Sequence, residues 1–264
     1  MTILSYLWSG RRFGGKQGER SYMGYWILKA ILKPILTVLY GIKAEGLENV
    51  PKNGPAVLAA NHVSFLDSFF LPLVIKGRKV TFLAKADYFK SWKTAWFFRM
   101  AGQIPIERDG GKRSEAALLT GLGVLREGKL LGIYPEGTRS PDGLLHRGRT
   151  GVSRLALTAQ VPVIPCSLVG TEEVMPKNAK RPKFFGRPKV KVRFGKPIDT
   201  SRYANKERDR LALRSFTDEL MYEIMQLSGQ RYVDEYASRT AAMPLPESAR
   251  TADDIDLSEE VLAG

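Results

Sequence analysis

The amino-acid sequence predicts an α/β fold, in which buried strands alternate with amphipathic helices. Short apolar runs have the length and composition of buried strands, and Ala56–Ala60 is a clear example. Longer segments carry apolar residues three and four positions apart, as in the helix predicted from Leu213 to Gly229. Clusters of glycine and proline separate these segments, and a chain of 264 residues, 44% of them hydrophobic, can form one large domain.

The same patterns assign the elements in order along the chain. Apolar runs predict strands, and helices are predicted where apolar residues share one face next to a capping residue such as Ser114 or a terminating glycine such as Gly128. The predicted strands are 56–60, 79–84, a short one from 102, 130–134, 161–169 and 190–194. The predicted helices begin near 68, 114, 152 and 213.

The first 42 residues predict a helical segment that associates with a membrane. Residues 25–36 are apolar apart from Lys29 and Lys33, which lie on one helix face. This composition is typical of a helix in a membrane interface, with its lysines at the lipid headgroups, and Pro34 is expected to kink or interrupt it. The lysines break the apolar run, so we expect the segment to lie on the membrane rather than cross it. The alternative is a helix that covers the core of the protein itself.

Composition narrows the class of partner and the kind of site. The formal net charge of +14 predicts an anionic partner, which leaves nucleic acid, an acidic membrane or a phosphate-bearing substrate. The single cysteine, Cys166, excludes an internal disulfide and is expected to be a buried, unreactive thiol, which fits a reducing compartment. With two histidines and one cysteine, a structural zinc site is disfavoured.

The stretch from Asn61 to Asp67 is the strongest candidate for catalysis. His62 follows a predicted strand, and its neutral imidazole can accept a proton from a hydroxyl while the carboxylate of Asp67 holds the other ring nitrogen. Residues five apart on one helix are about 140° apart, so the pair meets only if His62 lies in the turn and Asp67 in the first helical turn. The alternative is that Ser64 and Asp67 form a helix cap and His62 is a core histidine.

A second candidate site is the turn that follows the strand 130–134. Gly137 permits a close backbone approach, and Arg139 can form paired hydrogen bonds with a phosphate. The alternative is an ordinary loop that contains an ion pair between Glu136 and Arg139.

These segments resemble the four sequence blocks of the glycerolipid acyltransferase family, whose best-known members make phosphatidic acid from 1-acylglycerol-3-phosphate. The resemblance covers residues 45 to 225, and the blocks occur in the same order as in that family. The matches are Asn-His-x4-Asp at Asn61, His62 and Asp67; Gly-x5-Arg at Gly102 and Arg108; Tyr-Pro-Glu-Gly-Thr-Arg-Ser from Tyr134 to Ser140; and Val-Pro-x-x-Pro at Val161, Pro162 and Pro165.

The resemblance implies acyl transfer from acyl-CoA or acyl-carrier protein to the hydroxyl of lysophosphatidic acid or a related glycerophosphate, with no metal and no further cofactor. His62 would be the general base and Asp67 its orienting partner. The substrate-binding residues would be Arg108, Glu136, Gly137, Thr138 and Arg139. Alternatives are acylation of glycerol-3-phosphate or another lysolipid and, in a different class, a non-catalytic protein that binds anionic lipid.

The segment that follows the third block departs from the family pattern. Related bacterial chains often have Phe-Lys-x-Gly where this sequence has Leu145-His146-Arg147-Gly148, so Arg147 or Arg149 is expected to supply the positive charge.

The predicted architecture is a single α/β domain with a mixed sheet. We expect a membrane-associating segment at 1–42, a catalytic domain at 43–230 and a partly disordered tail at 231–264. The expected location is the cytoplasmic face of the cell membrane, as a peripheral or monotopic protein, and nucleic acid is not an expected partner. An apolar cluster is expected in the core, with the wall of an acyl groove as the alternative, at Trp92, Trp96, Phe97 and Phe98.

Overall fold

A computed structural model describes residues 16–106, 111–177, 179, 181–184, 186 and 188–237. The strands are β1 (Lys43–Glu45), β2 (Ala56–Ala60), β3 (Val80–Lys85), β4 (Ile104–Ile106), β5 (Leu130–Ile133), β6 (Leu145–His146), β7 (Val163–Val169), β8 (Lys191–Phe194) and β9 (Tyr232–Val233). The helices are α1 (Lys16–Tyr40), α2 (Asp67–Val74), α3 (Trp92–Met100), α4 (Gly111–Arg126), α5 (Gly151–Ala159), α6 (Thr171–Val174) and α7 (Arg210–Ser228).

Seven strands form a mixed sheet in the order β1-β8-β7-β2-β5-β3-β4, which confirms the predicted fold class. All neighbouring strands are parallel except β7 and β8, which are antiparallel. Strand β2 lies at the centre, where its register pairs Leu58 with Gly132 of β5 and with Ile164 of β7. The carboxyl ends of β2, β5 and β7 therefore meet at one edge, which is the usual place for a site in a parallel sheet.

Every residue of β2 is buried, because helices pack on both faces of the sheet. Alternate residues of β2 belong to two hydrophobic clusters, with Leu58 in one and Val57 in the other. The first cluster includes residues of α1 and α2, and the second includes residues of α4, α5 and α7. The turn that follows β2 is thus attached to a strand that is packed on both faces.

Helix α1 differs from its prediction in two ways. It continues through Pro34 to Tyr40, because Leu36, Leu39 and Tyr40 pack against the first cluster and hold the segment after the proline in place. Lys29 does not face outward: its Nζ donates to the carbonyl of Pro72 at 2.7 Å and to that of Ile75, at the end of α2. Burial lowers the pKa of Lys29 to about 8.

Other predictions were wrong or incomplete at element ends. Helix α4 begins at Gly111, so Ser114 is not its cap. Trp92 and Trp96 are 78% and 60% exposed, whereas Phe98 is buried, so α3 divides the cluster that was expected in the core. Strand β9 pairs with β6 beyond the predicted boundary at 230. No helix in the described parts of the chain is both long and apolar enough to cross a membrane.

Candidate active site

The His62–Asp67 pair forms at the carboxyl end of β2. The strand ends at Ala60, the chain turns without regular structure, and α2 begins at Asp67. His62 therefore lies in the turn and Asp67 in the first turn of the helix, as the pairing requires. His62 Nδ1 lies 2.8 Å from Asp67 Oδ2, and the two side chains are 14% and 0% exposed.

The carboxylate of Asp67 accepts four hydrogen bonds. Oδ2 accepts from His62 Nδ1, from the Val63 amide at 2.9 Å and from the Ser64 amide at 2.8 Å. Oδ1 accepts from Thr171 Oγ1 at 2.6 Å. An ionised carboxylate is only an acceptor, so Nδ1 is the donor in this contact, and in the neutral form of the imidazole the lone pair is then on Nε2. Helix α2 has Leu66 as its N-cap and no side-chain cap, so the predicted cap by Ser64 and Asp67 is wrong, and the Asp67 carboxylate instead holds the turn before the helix.

Glu136 fixes the backbone of His62. Its side chain is buried, and its Oε1 and Oε2 accept from the amides of His62 and His146, each at 3.1 Å. Burial raises the pKa of Glu136 to about 8, although the two amide donors oppose this shift. The carbonyl of His62 also accepts from the Ser140 amide at 2.7 Å. Both polar groups of the His62 backbone are thus held by the turn after β5.

The second histidine, His146, supports the turn after β5 through buried hydrogen bonds. His146 is fully buried, and its Nε2 lies 2.9 Å from Asp142 Oδ1. Burial by itself would raise the pKa of Asp142, but hydrogen bonds from His146 and from the Leu144 amide hold it below its ordinary value. The carbonyl of Glu235 accepts from the Arg147 amide at 3.0 Å, next to the β6–β9 pairing. The C-terminal segment therefore braces the loop that contains Glu136.

A pocket of about 200 Å³ opens beside His62. Its polar lining includes His62, Ser68, Thr138 and Arg139. Aromatic rings form much of the remaining wall, namely Phe65, Phe69, Phe82, Tyr88, Phe98 and Tyr134. The pocket therefore offers a histidine and an arginine at its polar side and a wall that suits an apolar chain.

The structure describes the predicted substrate-binding residues of the third sequence block, Tyr134 to Ser140. Arg139 Nη1 donates to the carbonyl of Lys177 at 3.2 Å, and Arg139 forms no ion pair with Glu136 in the described structure. Gly137 has φ +77°, a conformation that other residues rarely adopt, and a Cβ there would lie 3.1 Å from the Arg149 side chain. Arg108 lies outside the described residues.

The structure brings together His62, Asp67, Thr138 and Arg139 from the predicted set. Glu136 contacts His62 only through the hydrogen bond that its carboxylate accepts from the His62 amide. Gly137 is exposed, in the turn that follows β5. Sequence reasoning missed Thr171 as a partner of Asp67, because the two are 104 residues apart. It also missed the buried His146–Asp142 pair, since His146 was considered only as part of the departure from the family pattern.

Comparisons with known proteins agree with the sequence blocks. A family model described as Acyltransferase matches residues 41–169. A chloroplast 1-acyl-sn-glycerol-3-phosphate acyltransferase of Arabidopsis thaliana is 33% identical over 177 residues, which are 66% of this chain and 49% of that protein. A 1-acyl-sn-glycerol-3-phosphate acyltransferase of Bacillus subtilis is 27% identical over 201 residues, which are 75% of this chain and 94% of that protein.

The fold also has a counterpart among solved structures. The crystal structure of a 1-acyl-sn-glycerophosphate acyltransferase from Thermotoga maritima superposes with a TM-score of 0.61 at 23% identity. The match covers 89% of this chain and 86% of that one, and it shows a shared fold. The chain spans about half the length of the plant relatives it matches, 49% of the Arabidopsis protein and 45% of one from Brassica napus.

Proposed function

Because this chain belongs to the acyltransferase family that includes the 1-acylglycerol-3-phosphate acyltransferases, we propose that it acylates 1-acylglycerol-3-phosphate to give phosphatidic acid. The observation that carries the proposal is the buried contact of 2.8 Å between Asp67 and His62, at the wall of a pocket. This arrangement leaves Nε2 of a neutral imidazole to act on a hydroxyl, which is the chemistry that acyl transfer to glycerol needs.

In the proposed reaction, His62 Nε2 takes the proton of the glycerol hydroxyl. The oxygen attacks the thioester carbonyl, the carbon–sulfur bond breaks, and the departing thiolate takes the proton from the imidazolium. Asp67 holds Nδ1 and stabilises the positive charge while it exists. The products are an ester and a thiol, so the atoms balance without a metal or a redox partner.

The acceptor phosphate is proposed to bind at the polar side of the pocket. Arg139 and Thr138 line it together with His62, and a guanidinium suits a phosphate because it can form two parallel hydrogen bonds. Arg108 is proposed as a second cation on the strength of its sequence block alone. Glu136 is proposed to organise the turn rather than touch the acceptor, since backbone amides occupy both of its oxygens. Gly137 keeps this turn compact.

The aromatic wall is proposed to hold an acyl chain, with acyl-CoA or acyl-carrier protein as donor. Phe65, Phe69 and Phe98 contact one another with ring centroids 5.5 to 6.3 Å apart, which gives an apolar surface next to His62.

Membrane attachment is proposed to use an outward face of α1. Large apolar side chains on this face are Ile27, Ile31, Ile35 and Val38, which are between 49% and 85% exposed. These four side chains are uncharged, Lys29 is turned inward, and exposed Trp92 and Trp96 lie on the contacting helix α3. Such a face suits a membrane interface, the net charge of +14 favours an anionic one, and we propose the cytoplasmic side.

The test is acyl transfer by the purified full chain to a panel of acceptors. The panel holds glycerol-3-phosphate, 1-acyl- and 2-acylglycerol-3-phosphate and lysolipids with other headgroups, each with labelled acyl-CoA and with acyl-carrier protein. The proposal expects turnover on 1-acylglycerol-3-phosphate. Turnover on glycerol-3-phosphate alone would reassign the acceptor. Absence of turnover with either donor would contradict the proposed activity and favour a protein that only binds anionic lipid.

A further inference from the structure

One face of the His62 ring is covered by Tyr134, the residue that directly follows β5. The two rings are stacked, with centroids 3.9 Å apart and planes 9° apart. We propose that Tyr134 is a positioning residue, whose ring holds the His62 imidazole in the orientation in which Nε2 meets the acceptor hydroxyl. This inference rests on the proposed function, because it assigns a role within the same reaction.

The contact with Asp67 does not fix the imidazole by itself. A single hydrogen bond at Nδ1 fixes one edge of the ring, but the ring plane can still swing about that edge. A flat ring at 3.9 Å blocks that motion on one side. The edge contact and the face contact together define where Nε2 points, and misplacement by about 1 Å can cost about 100-fold in rate.

Tyr134 is itself held on two sides. Its hydroxyl lies 2.9 Å from Ser68 Oγ, in the first turn of α2, next to Asp67 in the sequence. Its ring packs on Phe82, with centroids 5.4 Å apart and planes 21° apart. The three rings of His62, Tyr134 and Phe82 therefore form one continuous stack.

The stack ends on the sheet at Gly132. A Cβ at Gly132 would lie 2.4 Å from the Phe82 ring, so only glycine lets Phe82 lie flat on β5. Phe82 is 3% exposed, which leaves it no room to withdraw. The imidazole is thus connected through two aromatic rings to the backbone of a central strand.

The stack has a second consequence for the reaction. A neutral imidazole becomes a cation when it takes the proton, and the π face of an aromatic ring attracts a cation. Tyr134 therefore favours the charged intermediate from the ring face while Asp67 favours it from Nδ1. Removing the ring is expected to lower kcat more than it alters the KM of either substrate.

The test compares Tyr134→Leu and Tyr134→Met, which lack the ring, with Tyr134→Phe, which keeps the ring and loses the hydroxyl. Tyr134→Phe is the matched variant, since it removes only the hydrogen bond to Ser68 Oγ and keeps the ring. We expect kcat for acylation of 1-acylglycerol-3-phosphate to fall about 10-fold to 100-fold in the ringless variants. Both KM values should change little, and Tyr134→Phe should restore kcat to within about 3-fold of the wild type.

Two results would overturn the inference. A ringless variant that keeps the wild-type melting temperature and the wild-type kcat would show that the stack does not position the base. Equal losses in Tyr134→Phe and Tyr134→Leu would assign the effect to the hydroxyl instead. Tyr134 is only half-buried, so at least one ringless variant should fold.

A measurement without turnover separates this inference from the proposed function. The chain has two histidines, so His62→Ala identifies the NMR signals of the His62 ring by their disappearance. A stacked ring shifts these signals upfield in the wild type and in Tyr134→Phe but not in Tyr134→Leu. If the His62 signals are the same in Tyr134→Leu as in the wild type, the rings are not stacked in solution and the inference is wrong, even if acyl transfer is observed. Inactivity of a wild type that has the shift would instead contradict the proposed function.

Discussion

Replacing Asp67 with asparagine or with alanine separates its structural role from its proposed catalytic role. Asparagine can keep its oxygen at the Oδ2 position, where it still accepts from His62 Nδ1 and from the amides of Val63 and Ser64. Its amide nitrogen then replaces Oδ1 and donates to Thr171 Oγ1, because a hydroxyl can accept as well as donate. The opposite orientation would place that nitrogen against three donors and is excluded.

The expected stabilities follow from this count of hydrogen bonds. Asp67→Asn should lower the free energy of unfolding by about 1 kcal/mol, because the contacts persist but lose the help of a charge. Asp67→Ala leaves the Val63 and Ser64 amides without an acceptor in a buried turn. Each unsatisfied amide costs about 1–3 kcal/mol, so the alanine variant should lose about 2–6 kcal/mol.

Turnover should not follow the same ranking. Both variants lose the charge that stabilises the imidazolium, so kcat should fall about 10² to 10⁴-fold in Asp67→Asn even though it remains folded. Urea unfolding measures the stabilities, and acylation of 1-acylglycerol-3-phosphate measures kcat. Turnover of Asp67→Asn within about 10-fold of the wild type would mean that Asp67 only stabilises the turn before α2. Equal stability of the two variants would refute the assignment of the amide donors.

The remaining predictions concern pH, the C-terminal segment and the outer face of α1. Folding raises the pKa of Glu136 from 4.5 to about 8, so between these two pH values the folded protein binds a proton at Glu136 that the unfolded chain does not. The contribution of Glu136 to the free energy of unfolding therefore falls as pH rises from 4.5 to about 8, by at most about 1.4 kcal/mol per pH unit. The melting temperature of Glu136→Gln, relative to that of the wild type, should therefore rise between about pH 5 and 8. A difference in melting temperature that does not change with pH would contradict this. Deleting residues 231–264 should lower the free energy of unfolding by about 2 kcal/mol or more and reduce turnover, because it removes β9 and exposes the buried strand β6. Deleting residues 238–264 keeps both strands and serves as the control. Equal effects of the two deletions on the melting temperature would contradict a stabilising role of β9. Ile31→Glu should weaken binding to anionic vesicles about 10-fold to 100-fold, while the control Leu211→Glu, at an exposed apolar position on α7, should not. Sedimentation of Ile31→Glu with vesicles to the same extent as the wild type would contradict membrane attachment through the outward face of α1.

Local sequence was sufficient for the centre of the site. An apolar run followed by Asn-His-x4-Asp predicted a strand, a turn and a helix start, and the structure has each of them within a residue or two. Few other arrangements were open, since residues 56–60 are too apolar to be anywhere but the core and Asp67 satisfies nearby amides in the turn. The mixed sheet was likewise predictable from the spacing of strands and helices.

Contacts between distant segments were not predictable from local patterns. Lys29 was expected at the lipid headgroups, but the packing of α1 directs it to the carbonyls at the end of α2. Trp92 and Trp96 were expected in the core because they are apolar, yet the orientation of α3 exposes them. Strand β9 has two residues and no periodicity, so only its partner β6 reveals it.

The most direct test of the central claim is the turnover of His62→Ala, measured with the acceptor and donor that the wild type uses. If His62 is the general base, kcat should fall about 10² to 10⁴-fold. The melting temperature should stay near that of the wild type, since the contact to Asp67 is one of four that the carboxylate receives. A folded His62→Ala protein that retains turnover within about 10-fold of the wild type would contradict the account.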